Sequence, residues 1–501
     1  MEIQEKPVVE SVDKTDEFSR KKLFGKLPDP PNGLLLAGLI LASILANIAM
    51  RVNISLAAFL SVSLLVVSLF SLRQIRNNLS YITGGLIVLT SLNFILRSSD
   101  LVLFTSVVSV LVLGYMLVFQ VFGKSISIWF VRGVETIVYS IKVPLWLVSI
   151  LPKKTGSVKV IPIIRGLVIA SVVTIPVVIL LASADEVFAS LFNPFSVESN
   201  LIGHAVLTLF FLAVFFVVAF NAARDNKFDS AKSKLKETKS YATEKLMVLL
   251  GLTAILGVWC AVQSAVAAGG ADQIFTGNDL TRAEYARSGF FQLVTVAAIV
   301  IAVINGLNHF TKSDDGRSSL MKALQILLVI ETAILVVVSF SRMRLYMDAF
   351  GLTLARLFVT WFLVWLLVLL FIYGLRLIIG ANFGSSIPLG FLSAGVFVML
   401  FGFSNPENTI VESNIDRAAN SSTTDDVDMR YLFTLSEDAV PALVDNVDPK
   451  QNFVSKEDWY RDSNEISLCN DVKIPEVDAY GVLGWNKSRS DARQLLGDLD
   501  C

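Results

Sequence analysis

Residues 320–341 read LMKALQILLVIETAILVVVSFS, an apolar run whose charged side chains are Lys322 and Glu331. A helix of about 20 apolar residues crosses a hydrocarbon layer about 30 Å thick. Similar runs recur between residues 33 and 404, and the chain of 501 residues is 54% hydrophobic and 17% charged, with a mean hydropathy of +0.65. Soluble domains are about 45–50% apolar and about a quarter charged. The sequence therefore excludes an ordinary soluble enzyme and predicts an all-α, polytopic transmembrane helix bundle.

About eleven spans are expected within residues 33–404, which form this bundle. They are predicted at 33–49, 54–72, 79–96, 101–123, 163–183, 201–220, 245–268, 288–309, 320–341, 352–379 and 386–404. Residues 125–151 are apolar but interrupted by charges, so they are interpreted as an interfacial helix with Trp129 and Trp146 at headgroup depth. A twelfth span of mixed polarity is the alternative.

Two polar segments flank the bundle. Residues 1–32 are basic and end in a proline-rich stretch, which predicts a disordered cytoplasmic tail rather than a signal peptide. Residues 405–501 hold 9 Lys and Arg against 20 Asp and Glu, whereas residues 1–404 hold 33 against 23. Apolar residues recur three or four apart within 405–501, so we expect a small, mostly helical, acidic C-terminal domain outside the membrane.

Basic residues in the connections predict the orientation, because Lys and Arg are retained on the cytoplasmic side. With the N-terminus inside, the cytoplasmic segments hold 26 Lys and Arg, and the opposite side holds 7 before residue 405. This asymmetry fits eleven spans, and it predicts that residues 405–501 lie on the exterior side.

Glu331 is the most informative single residue, because it lies about eleven residues into its span and hence near the bilayer centre. An ionisable group at this depth is costly and usually faces a bundle interior or a wet cavity. No basic residue lies at the same depth in another predicted span. Glu331 is interpreted as a midplane proton or cation site. The alternative is a protonated acid that is hydrogen-bonded to a neighbouring helix, for example through Thr360.

Further candidate residues lie away from the bilayer centre. Arg342 follows Glu331 by three helical turns and Tyr346 by one turn more, so the three side chains share one helix face. Asp185 follows the predicted span 163–183 and precedes an apolar stretch too short to cross the bilayer. It is interpreted either as the cap of an interfacial helix or as a substrate-binding acid.

The residues after Tyr346 predict a break between two helices. Gly351 can end the first helix in a left-handed turn, and Thr353 can cap the next one. Arg356 then falls in the first turn of that next helix, where a cation opposes the helix dipole. We therefore expect an anionic partner for Arg356, such as Asp348 or a lipid phosphate.

Metal and cofactor chemistry find little support in the sequence. His204 and His309 have no second His or Cys at ligand spacing, and no nucleotide-binding or catalytic motif is present. No metal, cofactor or nucleic-acid partner is predicted. Cys260 lies inside a span, whereas Cys469 and Cys501 lie in the exterior segment, which permits a disulfide. Cys469 and Cys501 are predicted either to form that disulfide or to remain two free thiols.

Several segments resemble an uncharacterised family. They are RGLVIASVVTIPVVILLASADEVFASLF (165–192), ETAILVVVSFSRMRLYMDAFGLTLARL (331–357), SNPENTIVESNI (404–415), DVDMRYLFTLSEDAVPAL (426–443) and GWNKSRSDAR (484–493). Together they resemble bacterial multi-pass integral membrane proteins known only as a domain of unknown function. The resemblance implies a bacterial plasma-membrane location and directs attention to its motif positions, which are Asp185, Glu331, Arg342, Tyr346, Gly351, Thr353 and Arg356. It implies no reaction, substrate or cofactor.

The favoured function is that of a transporter or permease-like protein in which Glu331 takes up and releases a proton or cation. One alternative is an envelope sensor or assembly protein that binds an envelope protein through residues 405–501. A second alternative, less favoured, is a membrane enzyme acting on lipid-linked substrates. Such an enzyme would use Asp185 or Asp348 with Arg342 or Arg356 to hold a phosphate. Membrane lipid is an expected partner in each case.

Overall fold

Apart from one short antiparallel β-ladder, helices make up the regular structure that a computed structural model describes for this chain. The described residues are 28–50, 54–72, 75, 77–120, 133, 136, 139–140, 142–148, 199–224, 242–265, 295–297, 299–304, 318–379, 386–420, 427–451, 453–454, 465–473, 475 and 481–499.

The apolar part of the chain forms α1 (Gly33–Ala49), α2 (Leu56–Leu69), α3 (Asn78–Ser91), α4 (Asn93–Leu96), α5 (Asp100–Phe119), α6 (Val143–Val148), α7 (Ser199–Ala223), α8 (Ala242–Ala265), α9 (Ser318–Phe350), α10 (Leu354–Ile379) and α11 (Ser386–Phe403). The polar C-terminal part forms α12 (Pro406–Asn420), α13 (Met429–Phe433), a 3-10 helix (Glu437–Ala439), α14 (Val440–Asn446), β1 (Phe453–Val454), β2 (Glu465–Ile466), α15 (Leu468–Asp471), a second 3-10 helix (Gly481–Gly484) and α16 (Lys487–Gly497). Phe453 of β1 pairs with Ile466 of β2.

Side-chain caps begin two of the apolar helices. Asn32 Oδ1 accepts a hydrogen bond from Leu35 N at 2.8 Å, and Asn77 Oδ1 accepts one from Ser80 N at 2.8 Å. Helix N-termini leave backbone N–H groups without a helical partner, and these groups are costly where water is scarce. The caps therefore suit helices that begin at the edge of an apolar medium.

Helices that could cross a membrane recur along the chain. Among the described residues, five are long and apolar enough: Asn78–Leu96, Asp100–Phe119, Lys245–Ser264, Ser319–Asp348 and Leu354–Ile379. A sixth is added if Pro388–Phe403 and Pro406–Ala419, which are bent by 56°, count as one span. Shorter apolar helices occupy Gly33–Ala49, Leu56–Leu69, Leu207–Ala223 and Thr295–Ile304. The chain is thus a helical membrane protein with several spans.

This count does not confirm the eleven spans predicted from the sequence. The helices at the first two predicted positions, α1 and α2, are 17 and 14 residues long, short of the length of about 20 residues that a span requires. Predicted span 163–183 lies outside the described residues, and 288–309 is described only in part.

Apolar side chains cover both the inside and the outside of the helix bundle. Leu111 in α5, Ile255 in α8 and Phe371 in α10 are 67%, 71% and 70% exposed. Large exposed apolar surfaces are rare on soluble monomers, whereas lipid tails solvate them well. Facing inward, one buried cluster joins α1, α2, α3, α5 and α7, and a second joins α8, α9 and α10.

The predicted interfacial helix 125–151 is described only in part, and its Trp146 is covered by protein. Trp146 lies in α6, and its side chain is fully buried. The indole packs edge-on against Phe220 of α7, with ring centroids 5.6 Å apart, and its Nε1 donates to Asp29 O at 2.8 Å. Because this carbonyl satisfies the indole N–H, the ring can be buried in the bundle. Trp129 lies outside the described residues.

The polar C-terminal segment packs against one end of the helix bundle. A buried cluster joins Val102 of α5 and Phe401 of α11 to Leu432, Leu443 and Leu468 of that segment. The segment is therefore attached to the bundle through an apolar core as well as through the polar contacts of the candidate site.

Candidate functional site

The first part of the site is a buried carboxylate inside the bundle. Glu331 lies in the middle of α9, and the residue is 6% exposed. Its Oε2 atom is buried and has no hydrogen-bond partner among the residues that the structure describes. A buried polar atom without a partner costs free energy, so such an atom in a folded protein requires an explanation.

Helix α8 presents small side chains to this carboxylate. A methyl group added at Gly257 would lie 3.3 Å from Glu331 Oε1, so the absence of a side chain there makes room for the carboxylate. Cys260 Sγ lies 3.8 Å from the backbone oxygen of Glu331. One turn before Gly257, the buried hydroxyl of Thr253 also has no hydrogen-bond partner among the described residues. Each of these two helices thus carries a buried polar atom that is uncompensated among the described residues, Thr253 Oγ1 on α8 and Glu331 Oε2 on α9.

Thr360, suggested from the sequence as a partner for Glu331, lies elsewhere. Its hydroxyl donates to Arg356 O at 2.8 Å and lies 3.6 Å from Met347 Sδ. Met347 is sixteen residues beyond Glu331 on α9, which corresponds to about 24 Å along a helix. Thr360 therefore belongs to the far end of the helix and does not compensate the carboxylate.

Arg342 lies on the same helix pair, further toward the C-terminal end of α9. Its Nη2 atom is 3.4 Å from Gln263 Oε1 of α8. Eleven residues separate Arg342 from Glu331, or about 16 Å along the helix. The side chains of Glu331 and Arg342 therefore both approach α8, at different positions along α9.

The break after α9 forms the second part of the site. Gly351 has a φ angle of +73°, in the left-handed region, and Arg356 N lies 3.5 Å from Thr353 Oγ1. Arg356 turns back to donate to Phe350 O at 2.9 Å and to Gly351 O at 2.7 Å. Its guanidinium also lies 4.5 Å from the ring centroid of Tyr346.

Within the described residues, backbone carbonyls rather than Asp348 are the hydrogen-bond acceptors of Arg356. A cation near the C-terminus of a helix interacts favourably with the helix dipole, and Arg356 reaches the C-terminal carbonyls of α9. Asp348 is exposed and forms no ion pair with Arg356 or Arg342 among the described residues. Asp185, the other acid named for holding a phosphate, lies outside the described residues.

The C-terminal segment holds the turn between α9 and α10. Asn414 Oδ1 accepts a hydrogen bond from Leu352 N at 2.8 Å, and Asn414 Nδ2 donates to Leu352 O at 2.9 Å. The hydroxyl of Tyr431 accepts from Leu354 N at 2.8 Å. Backbone groups at the start of α10 are thus satisfied by side chains of α12 and α13.

A second buried carboxylate holds the turn between α4 and α5. Asp438 Oδ2 accepts from Ser98 N at 3.1 Å and from Ser99 N at 3.0 Å, so it holds the two residues that precede α5 from another part of the chain. Its Oδ1 lies 4.0 Å from Arg97 Nη1 and forms a short hydrogen bond with Ser488 Oγ. Asp438 therefore joins α5, the Arg97 side chain and α16.

Arg97 and Asn486 complete this junction. Arg97 Nε donates to Gly402 O at 2.7 Å and Nη2 donates to Phe403 O at 3.0 Å, at the C-terminal end of α11. Asn486 Nδ2 lies 3.2 Å from Phe94 O and 2.8 Å from Arg97 O. Two segments of the C-terminal part, around Asp438 and around Asn486, thus enclose one connection of the bundle.

Burial governs the ionisation of the acids in this junction. Burial raises the pKa of Asp438 above its ordinary value, although the hydrogen bonds from Ser488 and Ser99 oppose the change. The pKa of Glu407 is also raised by burial, and its hydrogen bonds from Ser436 oppose this. Glu407 Oε2 accepts from Ser436 N at 2.7 Å and from Ser436 Oγ at 2.6 Å.

The hydroxyl of Ser488 lies between two oxygen atoms. It lies 2.9 Å from Leu96 O and also contacts Asp438 Oδ1. A hydroxyl carries one proton, so it cannot donate to both oxygens at once. If Ser488 donates to Leu96 O, the proton in the other contact comes from a protonated Asp438.

Some sequence-predicted residues lie outside the described part of the chain, namely Asp185 and Cys501. Cys469 is disulfide-bonded, and Cys260 is a free thiol. The described residues contain no group of three or more His, Cys, Asp or Glu side chains placed to hold a metal ion.

Sequence reasoning did not single out several residues that carry these contacts. Asp438, Glu407 and Asn486 lie inside the quoted motifs but were not singled out, because their carboxylates and amide resemble ordinary surface groups in sequence. Arg97 counted only as a basic residue in a connection. Gly257 is one of 29 glycines, and its contact with Glu331 has no signal in the sequence.

Taken together, the fold and the site define a helical membrane protein with several spans and a polar C-terminal segment bound to one end of its bundle. The chain belongs to the family described as Domain of unknown function (DUF4153), whose family model matches residues 84–446. That region contains Glu331, Gly351 and Asp438. No curated protein and no solved structure matches the chain.

Proposed function

We propose that this protein is a transporter or permease-like protein that moves a small solute or ion, with Glu331 as its proton or cation site. One observation carries the proposal: Glu331 is buried between α8 and α9, and its Oε2 atom has no partner among the described residues. Ionisable groups inside a membrane are rare, and those that occur mark substrate pathways, ion pathways and proton relays.

The surroundings of Glu331 suit reversible binding of a proton or a cation. A carboxylate in an apolar medium is stabilised when it takes up a proton or a cation, because the net charge is then removed. Gly257 leaves room beside Oε1, and Thr253 offers a second buried oxygen on the same helix. A permanently protonated structural acid would instead need a hydrogen-bond acceptor, and Thr360, the residue suggested for that role, bonds Arg356 O.

The proposal includes the topology of eleven spans in a bacterial plasma membrane, with a cytoplasmic N-terminus and residues 405–501 as an exterior domain. Two kinds of contact support it. The C-terminal segment contacts residues 54–56, 94–99 and 351–354. In the eleven-span topology, these three regions lie on the same side of the membrane. At the opposite ends of α9 and α10, Lys322 Nζ donates to Ile378 O. The eleven-span topology places these two residues on the other side of the membrane.

Infrared difference spectroscopy of Glu331→Gln tests the proton site directly. The purified full-length protein in lipid is titrated from mildly alkaline to mildly acidic buffer. The wild type is expected to gain a carboxylic-acid C=O band that Glu331→Gln lacks. The matched control, Glu412→Gln, replaces an exposed glutamate of α12 and should keep the band. A Glu331 band that is present at every pH would identify a permanently protonated structural acid and overturn the proton site.

Proteoliposomes test whether the site carries protons across the membrane. A pH-sensitive dye inside the vesicles reports proton entry after a potassium diffusion potential is imposed. We expect Glu331→Gln to slow this entry to the rate of protein-free vesicles, and Glu412→Gln to leave the wild-type rate unchanged. Equal rates for the wild type and Glu331→Gln would contradict proton movement through Glu331.

A further inference from the structure

Within the described part of the C-terminal segment, large apolar side chains are exposed at residues 481–485, which read GVLGW. They form the 3-10 helix Gly481–Gly484 followed by Trp485. Val482 is 77% exposed and Trp485 is 44% exposed, although the surrounding segment is polar. Burying such side chains in an apolar medium would be favourable, so their exposure indicates a contact with something other than water.

This short stretch is attached to the connection between α1 and α2. Leu56 N, at the start of α2, donates to Trp485 O at 3.1 Å. Ser55 Oγ donates to Leu483 O at 3.0 Å rather than capping its own helix. The Leu483 side chain packs against the cluster that contains Ala49 of α1. Residues 481–485 therefore lie at the end of the α1–α2 hairpin, and their carbonyls satisfy hydrogen-bond donors there.

The lengths of the two helices indicate what surrounds that end. With 17 and 14 residues, α1 and α2 extend about 25 Å and about 21 Å, against a hydrocarbon core of about 30 Å. A hairpin shorter than the core draws flanking residues to the interface, or thins the bilayer around itself. The outward side of the hairpin is apolar up to its end, where Met50 is 69% exposed.

We propose that residues 481–485 form an anchor in the lipid interface, with Val482 and Trp485 inserted at the boundary between headgroups and acyl chains. The apolar surface of the anchor continues the lipid-facing surface of the α1–α2 hairpin beyond its short helices. Trp is the side chain most typical of this depth, since its ring is apolar and its N–H can bond headgroups. The anchor does not depend on the proposed transport function.

Two basic groups lie next to the anchor, and both have partners within the chain. Arg489 Nη2 lies 3.3 Å from Gly484 O and 3.5 Å from Ile54 O, so its cation is held directly behind the anchor. Lys487, two residues after Trp485, pairs with Asp491 at 2.6 Å. A guanidinium at the interface is attracted by lipid phosphates. The occupant of this surface is accordingly a bilayer that contains phospholipid headgroups.

Spin labelling of the full chain tests the anchor. Val482→Cys is made in a Cys260→Ser background and reconstituted into vesicles of phosphatidylcholine with phosphatidylglycerol. Collisions with oxygen, which concentrates in lipid, are compared with collisions with a water-soluble nickel complex. The label at Val482→Cys should collide more with oxygen than with nickel. Asp445→Cys, an exposed position on α14, is the water-facing control, and Leu111→Cys, exposed on α5, is the lipid-facing reference.

Two results would overturn the anchor. If the label at Val482→Cys behaves like the one at Asp445→Cys, the anchor faces water. If it is protected from oxygen and nickel alike, protein covers it, and a second copy of the chain becomes the occupant.

Trp485→Phe supplies an independent measurement. Brominated lipids quench tryptophan fluorescence at short range, so the wild type should be quenched more than Trp485→Phe. Equal quenching of the two would also reject the anchor.

Discussion

At the scale of single residues, Gly351 shows how one backbone angle positions several functional groups. Its positive φ turns the chain between α9 and α10, and this turn allows Arg356 to reach the carbonyls of residues 350 and 351. A Cβ atom at Gly351 would lie 2.5 Å from Asn414 Oδ1, the atom that accepts from Leu352 N. The site therefore requires glycine for both its conformation and its close contact.

Gly351→Ala is expected to destabilise the protein by about 3 kcal/mol. The left-handed conformation costs an L-residue about 1–2 kcal/mol, and displacing Asn414 weakens hydrogen bonds worth about 1 kcal/mol each. The thermal midpoint in detergent, followed by circular dichroism, should fall accordingly. Gly114→Ala is the matched control, because a Cβ atom there meets nothing within 4 Å and alanine favours the helix. Equal midpoints for the two variants would contradict the strain at Gly351.

Glu331 shows what a sequence can predict about one residue. An acid in the middle of an apolar run indicates depth and cost, and both follow from counting residues along a helix. Its neighbours could not be predicted, because they depend on which face of α8 turns toward α9. The expected contact with Thr360 failed for this reason, and the contact with Gly257 was not foreseen.

At the scale of elements, the two residues that precede α5 are held by a side chain from elsewhere in the chain. Ser99 forms no side-chain cap hydrogen bond at the start of this helix, and Asp438 accepts from the backbone there instead. The polar groups that face Asp438 are Arg97, Ser488 and the backbone of Ser98 and Ser99, with Glu407 as the other nearby acid. The junction thus has a pH dependence of its own.

Asp438→Asn is expected to make the stability of the protein less dependent on pH. Because burial raises the pKa of Asp438 in the fold above its ordinary 3.8, its contribution is fully present below that value and is lost as pH rises through the raised pKa. The asparagine resembles the protonated acid: Oδ1 accepts from Ser98 or Ser99, and Nδ2 donates to Ser488 Oγ.

Thermal midpoints across acidic and neutral buffers test this expectation. The wild type should lose stability between acidic and neutral buffer relative to Asp438→Asn, because the fold favours the protonated acid. Asp445→Asn, at an exposed position, should retain the wild-type pH profile. Parallel profiles for the wild type and Asp438→Asn would show that Asp438 ionises without consequence for stability.

At the scale of the whole molecule, the C-terminal segment contacts three separate connections of the bundle. These contacts satisfy backbone groups at residues 56, 98, 99, 352 and 354. Backbone groups that are buried or covered by lipid need hydrogen-bond partners. The C-terminal segment supplies these partners and therefore contributes to the stability of the bundle.

Cysteine labelling with an impermeant thiol reagent on intact cells tests the proposed topology. In a background without Cys260, Cys469 and Cys501, Asp445→Cys should be labelled and Lys234→Cys should not. In the proposed topology, the connections contacted by the C-terminal segment lie on the exterior side, and the Lys-rich stretch is retained inside. Permeabilised cells, in which both positions should react, are the control. Labelling of Lys234→Cys alone would reverse the orientation.

The sequence by itself determined that the protein is a helical membrane protein and that an acid lies in the middle of one long apolar run. These properties follow from composition and from the rise of a helix, which are local. Only the tertiary structure decided that Gly257 faces Glu331, that Arg356 bonds carbonyls instead of Asp348, that Trp146 is buried, and that Asp438 holds the residues that precede α5. Each of these contacts depends on how a helix is rotated and on which distant part of the chain it packs against. The sequence of an apolar helix says little about which face turns inward, because every face is apolar.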